Sequence, residues 1–291
     1  MKNLIKFNQI NGENRNLVGS KAFKLAKLAQ ENIQIADFYV IPTHIFQKII
    51  TRKKIQKLIN DLILHQLGNS GKNNCQLTEF LNKINTEIDK FDFSQALSKE
   101  ILQGFKSLKT KKVAVRSSAS CEDQVNSSFA GQFTSYLSVP QDQVLSAVKK
   151  CFQSVFNQQV LMYCFYHKVD FSLIKMAVII QKMIKAEKGG VIFTKDVFQN
   201  GNRVIIESAR GLGEKVVSGL TNSEKIVFSK KTGKMIEGVI GFNKAVLSIQ
   251  EAKKLFNLAL KIEKIFGQPQ DIEWAIEKDQ IYILQTRPIT S

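Results

Sequence analysis

The fold is decided by two stretches late in the sequence, QDIEWAIE at residues 270–277 and IYILQTRP at residues 281–288. Polar and apolar residues alternate in both stretches, which is the pattern of a β-strand with one buried face. The residues between them, Lys278 to Gln280, are few enough to join the two strands directly. The sequence therefore predicts an antiparallel hairpin over residues 270–288.

The polarity pattern also predicts how the two strands of this hairpin pair. A three-residue loop places Glu273 opposite Gln285 and Asp271 opposite Arg287. It gathers the following apolar residues on the other face: Ile272, Trp274, Ile276, Tyr282 and Leu284. A two-residue loop would mix the faces, because a slip of one residue turns every side chain over. We therefore predict the three-residue loop.

The polar face of the hairpin carries two acids, an amide and an arginine at its open end. This set suits a divalent cation bridged to phosphate oxygens, with Arg287 as a fork for the phosphate itself. The alternative is a half-exposed edge hairpin with solvated charges, since a charged outer face is normal for antiparallel strands. The hairpin alone leaves both interpretations open.

The composition indicates a globular chain. At 291 residues and 44% hydrophobic, it can form one large domain or two lobes without disulfides or structural metal. No run approaches the roughly 18 apolar residues of a membrane span, and the N-terminus lacks the apolar core of a signal peptide. The four cysteines show no metal-ligand spacing, which favours reduced thiols. We therefore expect a cytoplasmic protein with no membrane association.

The charge balance is strongly basic, with 42 Lys and Arg against 25 Asp and Glu and a net charge of +17. Such a balance makes anionic partners plausible. The lysines are dispersed rather than clustered with aromatic residues, so no nucleic-acid partner is expected. Only six arginines occur. Because arginine suits planar, bidentate phosphate contacts, Arg116 and Arg287, each in a strand context, are candidates for phosphate binding.

Two earlier segments carry candidate phosphate contacts. In the first, Ser20 is a candidate N-cap of a helix and Lys21 lies in its first turn, where a lysine opposes the helix dipole unless an anion lies nearby. The alternative for Lys21 is a solvated surface lysine. In the second, the strand at residues 112–116 leads to small residues around Gly131, whose backbone N–H groups could approach phosphate oxygens. A plain turn is the alternative there.

The remaining pattern predicts helices and strands in both halves of the chain. Residues 44–110 read as helical, residues 144–169 as one helix and residues 248–266 as an amphipathic helix. Strands are predicted at 175–184, 189–194 and from 203, with short strands over 225–245. A polar stretch at residues 185–188 is the expected hinge, so we predict lobes at residues 1–185 and 186–291.

Taken in order, seven segments resemble one family. They are Val18-Gly19-Ser20-Lys21, Val115-Arg116-Ser117-Ser118-Ala119, Ser128-Phe129-Ala130-Gly131-Gln132, Gly190-Val191-Ile192-Phe193-Thr194, Gly211-Leu212-Gly213-Glu214, Gln270-Asp271-Ile272-Glu273-Trp274 and Leu284-Gln285-Thr286-Arg287-Pro288. They are similar to the N-terminal nucleotide-binding domain of phosphoenolpyruvate synthases, pyruvate phosphate dikinases and rifampicin phosphotransferases. The resemblance covers nearly the whole chain. It implies a two-lobed α+β ATP-grasp fold with mixed or antiparallel sheets and flanking helices.

The resemblance also implies roles for individual residues. Lys21, Arg116 and Arg287 match the basic residues at the ATP phosphates and the transferring group, and are the expected catalytic residues. Glu273 and Gln285 match the pair that holds Mg²⁺, with Asp271 as their acidic neighbour. The other implied ATP contacts are the phosphate-covering loop residues Phe129, Ala130, Gly131, Gln132 and Ser135, and the adenine-strand residues Gln181, Lys182 and Met183.

The activity implied is ATP-dependent phosphoryl transfer with Mg²⁺, cleaving ATP to AMP and passing phosphate to a histidine. Family members carry that histidine on a swivelling domain, and His44, His65 and His167 lie in no such motif. We therefore expect the acceptor histidine on a separate partner domain or chain. Ser20, Ser135 and Val197 depart from the family pattern, but none removes a charged group. Direct phosphorylation of a small molecule or protein, and non-catalytic nucleotide sensing, remain alternatives.

Overall fold

The computed structural model describes residues 2–68, 74–120, 123–124, 127–128, 132–196, 201–213, 223–239 and 245–289. The chain divides into two compact units. The first comprises Met1–Phe23 and Asp37–Met183, and the second comprises Lys24–Ala36 and Ile184–Ser291. The assignment of two ATP-grasp lobes to residues 1–185 and 186–291 remains a prediction.

Both units combine helices with strands. The helices are α1 (Arg15–Gln30), α2 (Thr43–Ile50), α3 (Lys53–Gly68), α4 (Asn74–Asp89), α5 (Gln95–Ser107), α6 (Val144–Gln153), α7 (Gln158–Tyr166) and α8 (Ile249–Phe266). The strands are β1 (Ile5–Lys6), β2 (Phe38–Ile41), β3 (Lys112–Ala119), β4 (Asp123–Gln124), β5 (Ser127–Ser128), β6 (Ser135–Pro140), β7 (Met176–Lys182), β8 (Lys188–Phe193), β9 (Arg203–Arg210), β10 (Glu224–Ser229), β11 (Met235–Val239), β12 (Gln270–Glu277) and β13 (Gln280–Pro288). Among these residues, no helix combines the length and apolarity needed to cross a membrane.

The first unit is built on a five-stranded sheet in the order β1-β2-β7-β3-β6, and every pairing in it is antiparallel. One face of this sheet belongs to the main hydrophobic core, which takes Val113 and Val115 from β3 and Val178 and Ile180 from β7. Phe46 of α2 packs in the same core. Because side chains alternate across a strand, Arg116 and Ser118 point to the opposite face.

The second unit is built on a six-stranded antiparallel sheet in the order β11-β10-β9-β8-β12-β13. Helix α8 packs on it, and Ser248 caps this helix by accepting a hydrogen bond from the Glu251 N–H, while the Glu251 side chain accepts from the Ser248 N–H. This capping box fixes the start of the helix where the sequence placed it. Two antiparallel sheets with flanking helices confirm the predicted α+β class.

One predicted helix was wrong. The sequence indicated a single helix over residues 144–169, but the structure has α6 and α7 with a break between them. Ser154 turns its hydroxyl back onto the Cys151 carbonyl at 2.7 Å, and Asn157 accepts a hydrogen bond from the Val160 N–H at 2.8 Å. Asn157 is thus the N-cap of a second helix, a role that an apolar periodicity cannot reveal.

The terminal hairpin has the predicted register at its open end and a different one at its tip. Asp271 pairs with Arg287 and Glu273 with Gln285, as predicted. At the tip, however, Glu277 pairs with Gln280, so the loop has two residues and not three. A β-bulge at Leu284 reconciles the two registers, because it inserts one residue into β13 between the pairs.

The bulge also changes which residues face the core. Tyr282 and Leu284 pack against a small cluster that contains Ala275, rather than sharing the Trp274 face as predicted. Ile283 pairs with Trp274 and is fully buried in their place. Strand β12 lies between β8 and β13, so the alternative of an edge hairpin is wrong for this strand.

The hairpin loop gives a prediction about stability. Lys278 and Asp279 have positive φ angles of 50° and 62°. These values suit the tight turn that favours Asn-Gly. We expect the double variant Lys278→Asn, Asp279→Gly to raise the free energy of unfolding by about 1 kcal/mol, because both new residues tolerate positive φ. Urea denaturation followed by circular dichroism measures the change. The control Asp279→Ala keeps the strain and should not stabilise; equal gains in both variants would contradict the explanation.

Candidate functional site

The first candidate region is the kink inside α1. Gly19 has a φ of 75° and a ψ of 171°, so the helix proper begins only after it. The Ala22 N–H then donates to the Ser118 hydroxyl at 3.2 Å, and that hydroxyl donates to the Val18 carbonyl at 2.8 Å. The sequence predicted Ser20 as the N-cap, and this was wrong, since the capping hydroxyl comes from Ser118. The sequence pattern could not reveal this cap, because Ser118 lies 96 residues after Ala22 in the chain.

Lys21 lies in the first turn of the helix that begins after Gly19. Its Nζ donates to the Ser117 carbonyl at 3.3 Å, which brings two of the predicted phosphate-binding segments into contact. The helix N-terminus carries partial positive charge from its backbone N–H groups. A lysine held at this position adds to that positive charge. The charge can be balanced by a bound anion in place of an acidic capping side chain.

Arg116, Gln181 and Ser135 share one face of the first sheet. Arg116 pairs with Ile179 on one side and with Ser135 on the other, and Gln181 lies two residues along β7 from Ile179. Residues paired across strands, or two apart along one strand, project to the same side. Arg116 and Gln181 are both buried, at 9% and 1% exposure. A buried guanidinium and a buried amide thus lie on the face that α1 approaches through Ser118.

The other adenine-strand and loop residues are placed less fully. Lys182 pairs with Val113 and points to the opposite face from Gln181, while its backbone N–H donates to the Asp37 carbonyl at 2.8 Å. Met183 is half-buried and is the last residue of the first unit. Gln132 accepts a hydrogen bond at its carbonyl from Asn157. Phe129, Ala130 and Gly131 lie outside the described residues.

In the second unit, Asp271 and Arg287 form an ion pair at the open end of the hairpin. Nε and Nη2 of Arg287 both lie 2.7 Å from Oδ2 of Asp271. The Asp271 side chain is 10% exposed and that of Arg287 is 38% exposed. Burial raises the pKa of Asp271 and the Glu273 charge adds to this, while Arg287 acts in the opposite direction. A nearby cation would therefore favour the ionised carboxylate.

Glu273 and Gln285 lie directly opposite each other two residues further into the hairpin. Side chains at paired positions start about 5 Å apart, so a carboxylate oxygen and an amide oxygen can converge on one ion. With Asp271 they make an all-oxygen donor set, which fits Mg²⁺ held by one or two carboxylates and by phosphate oxygens. Within the described ranges, no three His, Cys, Asp or Glu side chains form a metal site by themselves. An ion here would therefore need the amide of Gln285 and oxygens from a ligand.

One further carboxylate lies on this face and was not predicted. Val191 pairs with Glu273 on one side and with Glu207 on the other, so Glu207 projects from the same face two strands away. Ser223 donates to its carboxylate at 3.4 Å. The alternation of polar and apolar residues in β9 could not reveal that Glu207 shares a face with Glu273, because the sequence of one strand does not show the order of strands in the sheet.

Comparison with known proteins identifies the family of this chain. The family model described as pyruvate phosphate dikinase, AMP/ATP-binding domain, matches residues 15–246 and 241–291. A match of this extent defines a nucleotide-binding domain. The chain belongs to the pyruvate phosphate dikinase AMP/ATP-binding domain family, and the resemblance stated from the sequence is confirmed.

Two curated relatives illustrate the relationship. The probable phosphoenolpyruvate synthase of Archaeoglobus fulgidus is 34% identical over 94% of this chain and 40% of its own length. The rifampicin phosphotransferase of Bacillus subtilis is 30% identical over 94% of this chain and 34% of its own length. The chain thus spans less than half of either relative. Among solved structures, D-alanine–D-alanine ligase from Helicobacter pylori aligns over 94% of this chain and 54% of its own, with 9% identity and a TM-score of 0.38; a likeness this weak carries no argument.

Proposed function

We propose that this chain is the nucleotide-binding part of an ATP-dependent phosphotransferase, which cleaves ATP to AMP and passes phosphate to a histidine on a separate swivelling domain or chain. The family membership supports ATP as the nucleotide. The names of the relatives, phosphoenolpyruvate synthase and rifampicin phosphotransferase, support phosphoryl transfer as the class of reaction.

The observation that carries the proposal is the composition of the hairpin's open end. Glu273 lies opposite Gln285 and Asp271 lies opposite Arg287, so the candidate metal ligands and a guanidinium share one strand pair. Phosphoryl transfer depends mainly on positioning and on neutralising the charge of the phosphate oxygens. Nucleotide binding alone does not require a guanidinium group held beside the candidate metal ligands. This argues against the alternative of a pure nucleotide sensor.

The proposed division of roles follows the chemistry of each group. Glu273, Gln285 and Asp271 would hold Mg²⁺, which would screen the charge on the phosphates. Arg287 binds the transferring phosphoryl group, while Lys21 and Arg116 bind the ATP phosphates together with the loop at residues 129–135. Cleavage to AMP breaks the bond between the β-phosphorus and the oxygen that bridges it to the α-phosphate. The acceptor histidine nitrogen forms the new bond to that phosphorus and AMP leaves, so the histidine first carries the β- and γ-phosphates together. Water then breaks the bridge between these two phosphates and releases the terminal one as inorganic phosphate, which leaves a single phosphate on the histidine.

A nucleotide product assay tests this proposal. The chain is incubated with ATP and Mg²⁺, alone and with the Archaeoglobus fulgidus relative as a source of the histidine-bearing domain, and the nucleotides are separated by chromatography. We expect AMP to form together with a base-stable, acid-labile phosphate on the acceptor, above the level that the relative produces by itself. ADP as the only added product, or no added turnover with the acceptor present, would contradict the proposal. Label on a small molecule or protein without phosphohistidine would instead support the direct kinase.

A further inference from the structure

Behind the Asp271–Arg287 pair lies a buried hydrogen-bond network that the proposed reaction does not use directly. It consists of Thr194, Gln270 and Thr286, whose exposures are 0%, 0% and 1%. Thr194 follows the end of β8, Gln270 begins β12 and Thr286 lies near the end of β13. The network therefore joins three neighbouring strands at one level of the sheet.

Gln270 is the centre of this network and has a partner for each of its polar atoms. Its backbone N–H donates to the Thr194 hydroxyl at 2.8 Å, and its carbonyl accepts from the Thr194 N–H at 2.9 Å. Its side-chain oxygen accepts from the Thr286 hydroxyl at 2.9 Å. Its side-chain nitrogen donates to the carbonyls of Gln268 and Pro269, at 3.1 and 3.2 Å. A fully satisfied buried network of this kind is rigid.

The position of the network relative to the ion pair is set by the alternation of the strands. Gln270 precedes Asp271 and Thr286 precedes Arg287, and successive side chains point to opposite faces. The network therefore fixes the backbone of both ion-pair residues from the reverse side of the sheet. Regular pairing of β8 ends at Phe193, the partner of Asp271, so Thr194 extends the connection beyond the last ladder pair.

We propose that Thr194, Gln270 and Thr286 are positioning residues that hold Arg287 and Asp271 in the geometry needed for phosphoryl transfer. None of the three projects to the face that carries the ion pair, so they act only through the backbone. Because a misplacement of about 1 Å can cost two orders of magnitude in rate, a loosened network should impair transfer more than ATP binding. The catalytic part of this inference rests on the proposed function.

The matched pair Thr286→Val and Thr286→Ser tests the network. Valine keeps the shape and removes the donor to Gln270, whereas serine keeps the hydroxyl. We expect Thr286→Val to lower the rate of AMP formation about 10- to 100-fold while the Kd for ATP changes less than about threefold. Thr286→Ser should stay within about threefold of the unmodified chain in both measurements. In a chain that forms AMP, equal rates in Thr286→Val and Thr286→Ser would overturn the proposal.

Amide hydrogen exchange provides a readout that does not depend on the reaction. We expect the Arg287 N–H to exchange about tenfold faster in Thr286→Val and unchanged in Thr286→Ser, with the Ile206 N–H of β9 as an internal control. Unchanged exchange at Arg287 would overturn the positioning role whatever the chain catalyses. Faster exchange in a chain that forms no AMP would reject the proposed function and leave the positioning role standing. If Thr286→Val fails to fold, the pair Thr194→Val and Thr194→Ser serves in the same comparison.

Discussion

Replacing Arg287 with lysine is expected to lower AMP formation by about a thousandfold, roughly 4 kcal/mol in the transition state, with a much smaller effect on ATP affinity. Nε and Nη2 of Arg287 both bind Oδ2 of Asp271, an arrangement that fixes the plane of the guanidinium. Lysine retains the charge but has neither the fork nor the Nε donor. Because the plane of the guanidinium is fixed, the N–H donors of Arg287 that do not bind Asp271 can meet a phosphoryl group in a fixed orientation. The single ammonium of lysine cannot do this.

The measurement compares the rate of AMP formation with the Kd for ATP from calorimetry. An interaction made mainly in the transition state lowers the rate and spares binding, whereas a uniform binding contact changes affinity. Arg203→Lys, at the start of β9, is the matched control and should change neither quantity appreciably. A loss confined to ATP affinity, or one shared by Arg203→Lys, would show that Arg287 does not act at the transferring group.

Replacing Gly19 with alanine is the second large effect and concerns stability. A Cβ atom built on Gly19 would lie 2.0 Å from the Ser118 carbonyl oxygen, a backbone atom that cannot move aside by rotating. The φ of 75° with a ψ of 171° is also a conformation that essentially only glycine adopts. We expect Gly19→Ala to lower the free energy of unfolding by about 3–5 kcal/mol. The midpoint of thermal unfolding should fall by about 10 °C.

Gly12→Ala is the control for this prediction. No atom lies within 4 Å of a Cβ built at Gly12, and its backbone has no positive φ. Thermal unfolding followed by circular dichroism should therefore be nearly unchanged in Gly12→Ala. A Gly19→Ala variant that melts together with Gly12→Ala would mean that the contact between Gly19 and Ser118 is not maintained in solution.

The candidate site is predictable from the sequence where it depends on local pattern. The pairs Glu273–Gln285 and Asp271–Arg287 followed from alternation alone, because the polar residues of a strand recur with period two. Helix α8 was predicted over 248–266 because its apolar spacing is a local pattern. The role of Gln181 came from the resemblance alone, whereas Lys21, Arg116 and the residues around Gly131 were already candidates from their local pattern. All of these roles stay predictions.

What the sequence by itself determined is the identity of the family, the α+β class and the residues that meet at the open end of the hairpin. Only the tertiary structure decided the bulge at Leu284, the capping of α1 by Ser118 and the network of Thr194, Gln270 and Thr286. The physical reason is common to the three. Strand β12 is enclosed by a neighbour on each side, and Ser118 and Thr194 act on residues 96 and 76 positions away. Burial from both sides and contacts across such separations leave no periodic trace in the sequence.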